Sequence, residues 1–129
     1  MAKSKLEKVW EPHIGKMQMQ AGKDKVEEVP VFSWSYRGKF AYGGEIHAYP
    51  HLGILLFQTK RGDYDDDPGF KGNLQEVLKE IDSFGWGKPP NIEEVYNDIQ
   101  AASTIAKNNG NRFFQHCKEL ETKWQTYLK

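Results

Sequence analysis

Glu45, His47, Tyr49 and His51 fall at alternate positions, so in an extended chain a carboxylate, a phenol and two imidazoles would line one face. Such a row could trade protons or ligate zinc. Pro50 interrupts the alternation, however, and a zinc site needs a further protein ligand. The remaining histidines, His13 and His116, lie in distant segments without ligand spacing. Polar residues on the wet face of a sheet are the simpler reading, and neither a metal nor a cofactor is expected.

Asp63, Asp65 and Asp67 also alternate, with Asp66 among them, as the ligands of a calcium loop do. The match then breaks, because Pro68 stands where the sharp-turn glycine belongs and Leu74 where the bidentate glutamate belongs. The run reads as a solvated turn, with an acidic contact patch for a basic partner or a weak magnesium or calcium site as alternatives. Cys117 lies beside His116 on a helical stripe, but neighbouring helical side chains diverge by about 100 degrees. They cannot act together as nucleophile and base, so Cys117 reads as a core residue.

Between Arg37 and Arg61 the basic residues Arg37, Lys39, Lys60 and Arg61 face only one acid, Glu45. They are interleaved with Phe40, Tyr42 and Tyr49 and follow Trp34 and Tyr36, a combination that suits stacking of single-stranded nucleic acid. Arg37-Gly38-Lys39-Phe40-Ala41-Tyr42 looks somewhat like the aromatic strand signature of the RNA-recognition fold. Lys39 is one residue too many, and that fold interleaves its helices between strands, whereas here the helical patterns come last. An aromatic core face is the stronger reading of these rings.

The elements that must position these groups follow from periodicity. Val31, Phe32, Trp34, Tyr36, Phe40, Tyr42, Ile46, Tyr49, Ile54, Leu55 and Phe57 are strand-forming types. Arg37-Gly38-Lys39 reads as a hairpin, Gly43-Gly44 as a bulge or bend, and the stretch from Tyr49 to Gly53 as a reversal. Parity puts Phe32, Trp34 and Tyr36 on one face, and the stretch Gly53 to Thr59, apolar on both parities, reads as a strand covered on both sides. In Met17 to Lys25 the alternating Met17, Met19 and Ala21 could make an edge strand before a Gly22-Lys23-Asp24 turn, and Ser4 to Trp10 carries the cap and spacing of a short helix stopped by Pro12. Arg61 to Gly72 is an exposed polar loop.

Three helices are expected after it, with stripes Leu74, Val77, Leu78, Ile81; Ile92, Val95, Ile99, Ala102; and Phe113, Cys117, Leu120, Trp124, Leu128. Asn73 with Glu76, and Asn91 with Glu94, have capping-box spacing, while Gly85 and Asn109-Gly110 supply left-handed ends. The expected fold is α+β over residues 1–129: a curled antiparallel meander of about four strands packed against three C-terminal amphipathic helices, with a short N-terminal helix.

The balance of 18 basic and 18 acidic residues produces no overall field toward nucleic acid or an anionic membrane. One cysteine cannot form an internal disulfide, the first residues lack a secretory apolar stretch, and no apolar run approaches the ~20 residues that span a bilayer. These features point to a soluble cytoplasmic protein. By elimination, the reading is a non-enzymatic binding or regulatory module acting through protein contact, such as an inhibitor, immunity-like or accessory protein. Its candidate contacts are Trp34, Tyr36, Arg37, Phe40, Tyr42, Glu45, His47, His51 and the aspartates 63, 65, 66 and 67. The alternatives are a small enzyme or ligand pocket in the curled sheet, walled by Trp34 and Tyr36 around Glu45, His47 and His51, and a single-strand nucleic-acid binder.

Overall fold

Large apolar side chains at every second position set the inner face of strand β2, Lys25–Arg37: Phe32 and Trp34 are fully buried while Ser33 and Ser35 are only partly so. The computed structural model describes residues 10–37, 42–61 and 69–128. Around β2 lie β1 (Trp10–Gly22), β3 (Tyr42–Tyr49), β4 (Ile54–Arg61) and β5 (Phe70–Gly72), joined as a five-stranded antiparallel sheet in the order β1-β2-β3-β4-β5. Helices α1 (Leu74–Ser83), α2 (Ile92–Asn108) and α3 (Gly110–Gln125) follow, with a closing 3-10 turn at Thr126–Leu128. The α+β expectation holds in this form.

Several local expectations are corrected. The proposed N-terminal helix lies outside the described residues except for Trp10, which opens β1 opposite Tyr36, and Pro12 sits within that strand opposite Trp34. The edge strand starts at Trp10 and not at Met17, while the turn expected after Ala21 falls at Lys23-Asp24, between the end of β1 at Gly22 and the start of β2 at Lys25. Five strands replace four because Phe70–Gly72, read as loop, pairs with Leu55–Phe57. Gly43 and Gly44 do not bend the chain but continue the β3 ladder on both sides.

The helices cover one face of the sheet. There Phe32, Trp34, Ile46, Ala48, Leu55 and Phe57 share one core cluster with Val77, Ile81, Ile92, Val95, Ile99, Ala102, Phe113, Cys117, Leu120 and Trp124. On the other parity of β4, Ile54 and Leu56 stay half-buried with no described helix over them, which corrects the expectation of cover on both sides.

The β1–β2 ribbon has an inversion of its own. In β1 the shielded positions run Trp10, Pro12, Ile14 and then Met17, Met19, Ala21, although pairing continues unbroken from Ile14↔Phe32 to Met17↔Val29. No residue is inserted at this point, so the change of parity reflects the strong coiling open to a two-stranded ribbon. It turns Met17, Met19 and Val29 into the same core, where α3 packs on both strands. Only Phe32–Arg37 of β2 pairs with β3, so Pro30 falls in the two-stranded portion, where a missing N–H is tolerated.

The connector between α1 and α2 is pinned to the sheet by indoles. Gly85, at φ 75, ends α1 by donating its N–H to the Asp82 carbonyl (2.9 Å), while Trp86 N–H reaches the Ile81 carbonyl (3.2 Å). Trp86 then stacks on Tyr36 at 4.1 Å and lies over Gly44, where a Cβ would come within 2.9 Å of its ring. Trp10 Nε1 donates to the Gly87 carbonyl (2.6 Å) and Trp34 Nε1 to the Pro90 carbonyl (2.8 Å), so both indoles bury their rings without orphaning a donor.

Helix ends show which caps the chain uses. The Asn73–Glu76 box is complete, with reciprocal bonds of 2.9 Å. Asn91 instead takes a left-handed φ of 61 and makes no side-chain cap, and Asn109 is extended, ending α2 while its carboxamide oxygen accepts the Arg112 N–H that starts α3. Gly110 is thus the first residue of α3, not a left-handed terminator. Leu128 lies beyond α3 and is exposed, so the third stripe stops at Trp124. Asp98 on α2 accepts from Trp124 Nε1 (3.0 Å) and Lys123 Nζ (2.8 Å), joining α2 to α3. The hydrogen bond to Asp98 raises the Lys123 pKa.

Cys117 is buried on that stripe, and burial pushes its thiol up to about 12. From a starting value of 9.0 this cuts the thiolate fraction at pH 8 about a thousandfold. A disulfide reagent such as Ellman's is expected to label the native chain only as fast as it opens, and rapid stoichiometric labelling without denaturant would contradict this packing.

Candidate functional site

The sheet face opposite the helices gathers chemistry from all five strands. Register sets His13, Ser33, His47, Leu56 and Lys71 in one row, each opposite the next, and Glu11, Ser35, Glu45 and Gln58 in the row beside it. Directly opposed positions have Cβ atoms roughly 4.5–5.5 Å apart, so these rows form a continuous surface. Along β3 the alternation expected from sequence is present. His47 Nε2 lies 3.1 Å from Glu45 Oε1, the His47 and Tyr49 rings stack at 6.2 Å, and the Tyr49 and His51 rings meet edge-on at 5.9 Å.

Burial biases two of these groups toward their neutral forms. Desolvation raises the Tyr49 phenol and lowers the His51 imidazole, whose Nδ1 is shielded from solvent without a hydrogen-bond partner. The Glu45 contact orients the His47 ring, but Ser33, its cross-strand neighbour, makes no hydrogen bond to it. Among the described residues no hydroxyl or thiol is hydrogen-bonded to this oriented imidazole. Among the described residues no group of three or more His, Cys, Asp or Glu side chains is placed to hold a metal ion.

The residues singled out from sequence separate into distinct places. Trp34 is fully buried on the helical face, and Tyr36 is half-buried against Trp86 and Trp10 on the same side. Glu45 and His47 are on the opposite face, so the proposed pocket walled by Trp34 and Tyr36 around them does not exist. Strand parity forbids it. Trp34 is likewise a core ring and not a stacking platform. Arg37 pairs with Gly43, and Tyr42 with Arg61, at one end of the sheet, which fixes their backbone positions. Phe40 and the four aspartates Asp63, Asp65, Asp66 and Asp67 lie outside the described residues.

Sequence reasoning missed Glu11, His13, Ser33, Ser35, Leu56, Gln58 and Lys71. The signal for Ser33 and Ser35 was available, since they alternate with Phe32, Trp34 and Tyr36. The others join them only once strand register is known. The end of the loop read as exposed also touches this face: Gly69, at φ 90, lies so close to the Leu56 and Gln58 side chains that a Cβ would come within 2.7 and 2.8 Å of them.

Comparison with family models, curated proteins and solved structures found no match. Among the described residues no helix is long and apolar enough to cross a membrane. The functional reading therefore rests on the geometry of this face.

Proposed function

We propose that this chain is a small binding module, working inside the cell, that engages a protein partner through the open face of its sheet rather than catalysing a reaction. One observation carries the reading. Four consecutive antiparallel ladders hold a chemically mixed surface of Ser33, Ser35, Glu45, His47, Tyr49 and Leu56, backed by a packed core. Hydroxyls, an aromatic ring and an aliphatic side chain at fixed spacing suit recognition, because little conformational freedom is left to lose on binding. A broad sheet face fits a protein surface better than a small ligand, which favours concave sites.

A basic partner is inferred from the run Asp63, Asp65, Asp66 and Asp67, whereas on the face itself Glu11 and Glu45 are accompanied by Lys71. The test is site-specific photo-crosslinking in cells of the natural source, with the reactive residue at Ser33 or, as a control on the helical side, at Lys118. A discrete adduct is expected from position 33 and none from 118. Leu56→Arg is expected to weaken recovery of that partner at least about tenfold, roughly 1.4 kcal/mol. Changing the four aspartates to asparagine is expected to flatten its salt dependence. Equal adducts at both positions, or none at 33, would remove the reading.

The nucleic-acid alternative retains one favourable observation. The Tyr36–Trp86 stack, at 4.1 Å between ring centroids, is only half-buried and could offer a ring face to a base. Salt-dependent quenching of tryptophan fluorescence by an oligonucleotide would favour it over the protein-contact reading.

A further inference from the structure

The reversal between β3 and β4 is fastened at two points. Leu52 and Gly53 both donate their N–H to the Tyr49 carbonyl, at 3.2 and 2.8 Å, which closes the turn on itself. Gly53, at φ 66, then offers its own carbonyl to Gln100 Nε2 of α2. It lies so close to Ser103 that a Cβ would come within 2.6 Å of Oγ, so only glycine permits this approach. The turn thus docks on α2 through one side-chain hydrogen bond over a tight contact.

His51 sits in the middle of this turn, partly buried, and its surroundings favour the neutral ring. Its Nδ1 is shielded and has no acceptor or donor partner. From its own segment, the group against it is Tyr49, whose phenol burial keeps protonated. On α2, the groups touching the turn, Gln100 and Ser103, are uncharged. Glu45, the nearest acid along the strand, is engaged with His47. Among the described residues no carboxylate lies within ion-pair distance of His51.

We propose that the β3–β4 turn is an acid-released latch, in which a proton taken up by His51 detaches the turn from α2. A protonated ring has two N–H donors, and here one of them is buried with nothing to accept it, a penalty removed when the turn opens to water. The sign follows from linkage. Desolvation holds the closed-state imidazole below its ordinary value of 6.5, so the open state binds the proton more readily. The latch is therefore fully closed above that value and loosens as pH falls through the depressed one. Gln100 and the Gly53 carbonyl are the groups that opening leaves free for other contacts. This device does not depend on the open face binding a protein.

Amide exchange of the full chain followed by NMR between pH 7.5 and 5, corrected for the intrinsic pH dependence, tests it. Protection at Leu52 and Gly53 is expected to fall about twofold or more by pH 5, while Cys117 and Leu120 on α3 keep theirs. His51→Gln is expected to hold the turn protected at pH 5. Gln100→Ala is expected to lower protection at pH 7.5 and leave little further change on acidification. Should His51→Gln not fold, the His51 ring resonances of the unmodified chain serve instead, because they are expected to titrate in step with Gly53 exchange. Unchanged Gly53 protection at pH 5, an equal loss in His51→Gln, or ring titration uncoupled from Gly53 would each overturn the latch.

Discussion

A chain ended after Arg61 is expected to show no cooperative unfolding transition. It retains β1 to β4 but strips the helical cover from Phe32, Trp34, Ile46, Leu55 and Phe57, each at most 2 % exposed in the full chain. Re-exposing a large apolar side chain costs roughly 1.5–3 kcal/mol, so five together forfeit about 10 kcal/mol. That is comparable with the whole stability of a typical domain. Loss of β5, which pairs with Leu55–Phe57, opens a further edge. Circular dichroism during a urea titration provides the measurement. A sharp sigmoidal melt of the shortened chain would mean that the sheet is stable alone and that the helices are a separate unit.

The second large effect is centred on Trp34. Trp34→Ala is expected to destabilise the chain by about 3–5 kcal/mol, since it empties a fully buried site between Phe32, 4.8 Å away between ring centroids, and the α1–α2 connector. Trp34→Phe restores much of the packing but leaves the Pro90 carbonyl without its indole donor, and is expected to cost about 1–3 kcal/mol. Urea midpoints of the two variants separate packing from hydrogen bonding. Equal losses would assign the effect to the hydrogen bond alone, and a loss below about 1 kcal/mol for alanine would contradict the core position.

What could be read without coordinates was whatever depends on period. Phe32, Trp34 and Tyr36 share a face because strand side chains alternate, and Val77 with Ile81, or Phe113 with Cys117, Leu120 and Trp124, share helical stripes that are buried as expected. The Asn73–Glu76 cap was equally legible, since its bonds are local. The same spacing misled at Asn91, where Pro89-Pro90 leads into a left-handed asparagine whose side chain makes no cap bond. Trp10 misled for a different reason. Leu6, Val9 and Trp10 have helical spacing, but the state of Trp10 is set by Tyr36 opposite it and by the distant Gly87 carbonyl.

The open face shows the same division. Glu45, His47 and Tyr49 could be aligned by counting, but the row from His13 through Ser33 to Lys71 exists only through the pairing of strands far apart in sequence. Burial of Trp34 is also a tertiary fact, because an aromatic strand face looks the same in sequence whether helices or a ligand cover it. The aspartate run, read as a contact patch, remains a statement about composition.

The sheet order β1-β2-β3-β4-β5 also dictates a timetable for biosynthesis. Every strand meets its neighbour as soon as the next hairpin leaves the ribosome, so the ribbon can zip in order of translation. Everything that shields its greasy side, from Val77 to Trp124, is encoded downstream. At elongation rates of about 5–20 residues per second, the nascent sheet waits several seconds with Phe32, Trp34, Ile46 and Leu55 uncovered. During that interval the growing polypeptide is at its most vulnerable to aggregation, and a chaperone holding the ribbon would stand in for helices not yet made.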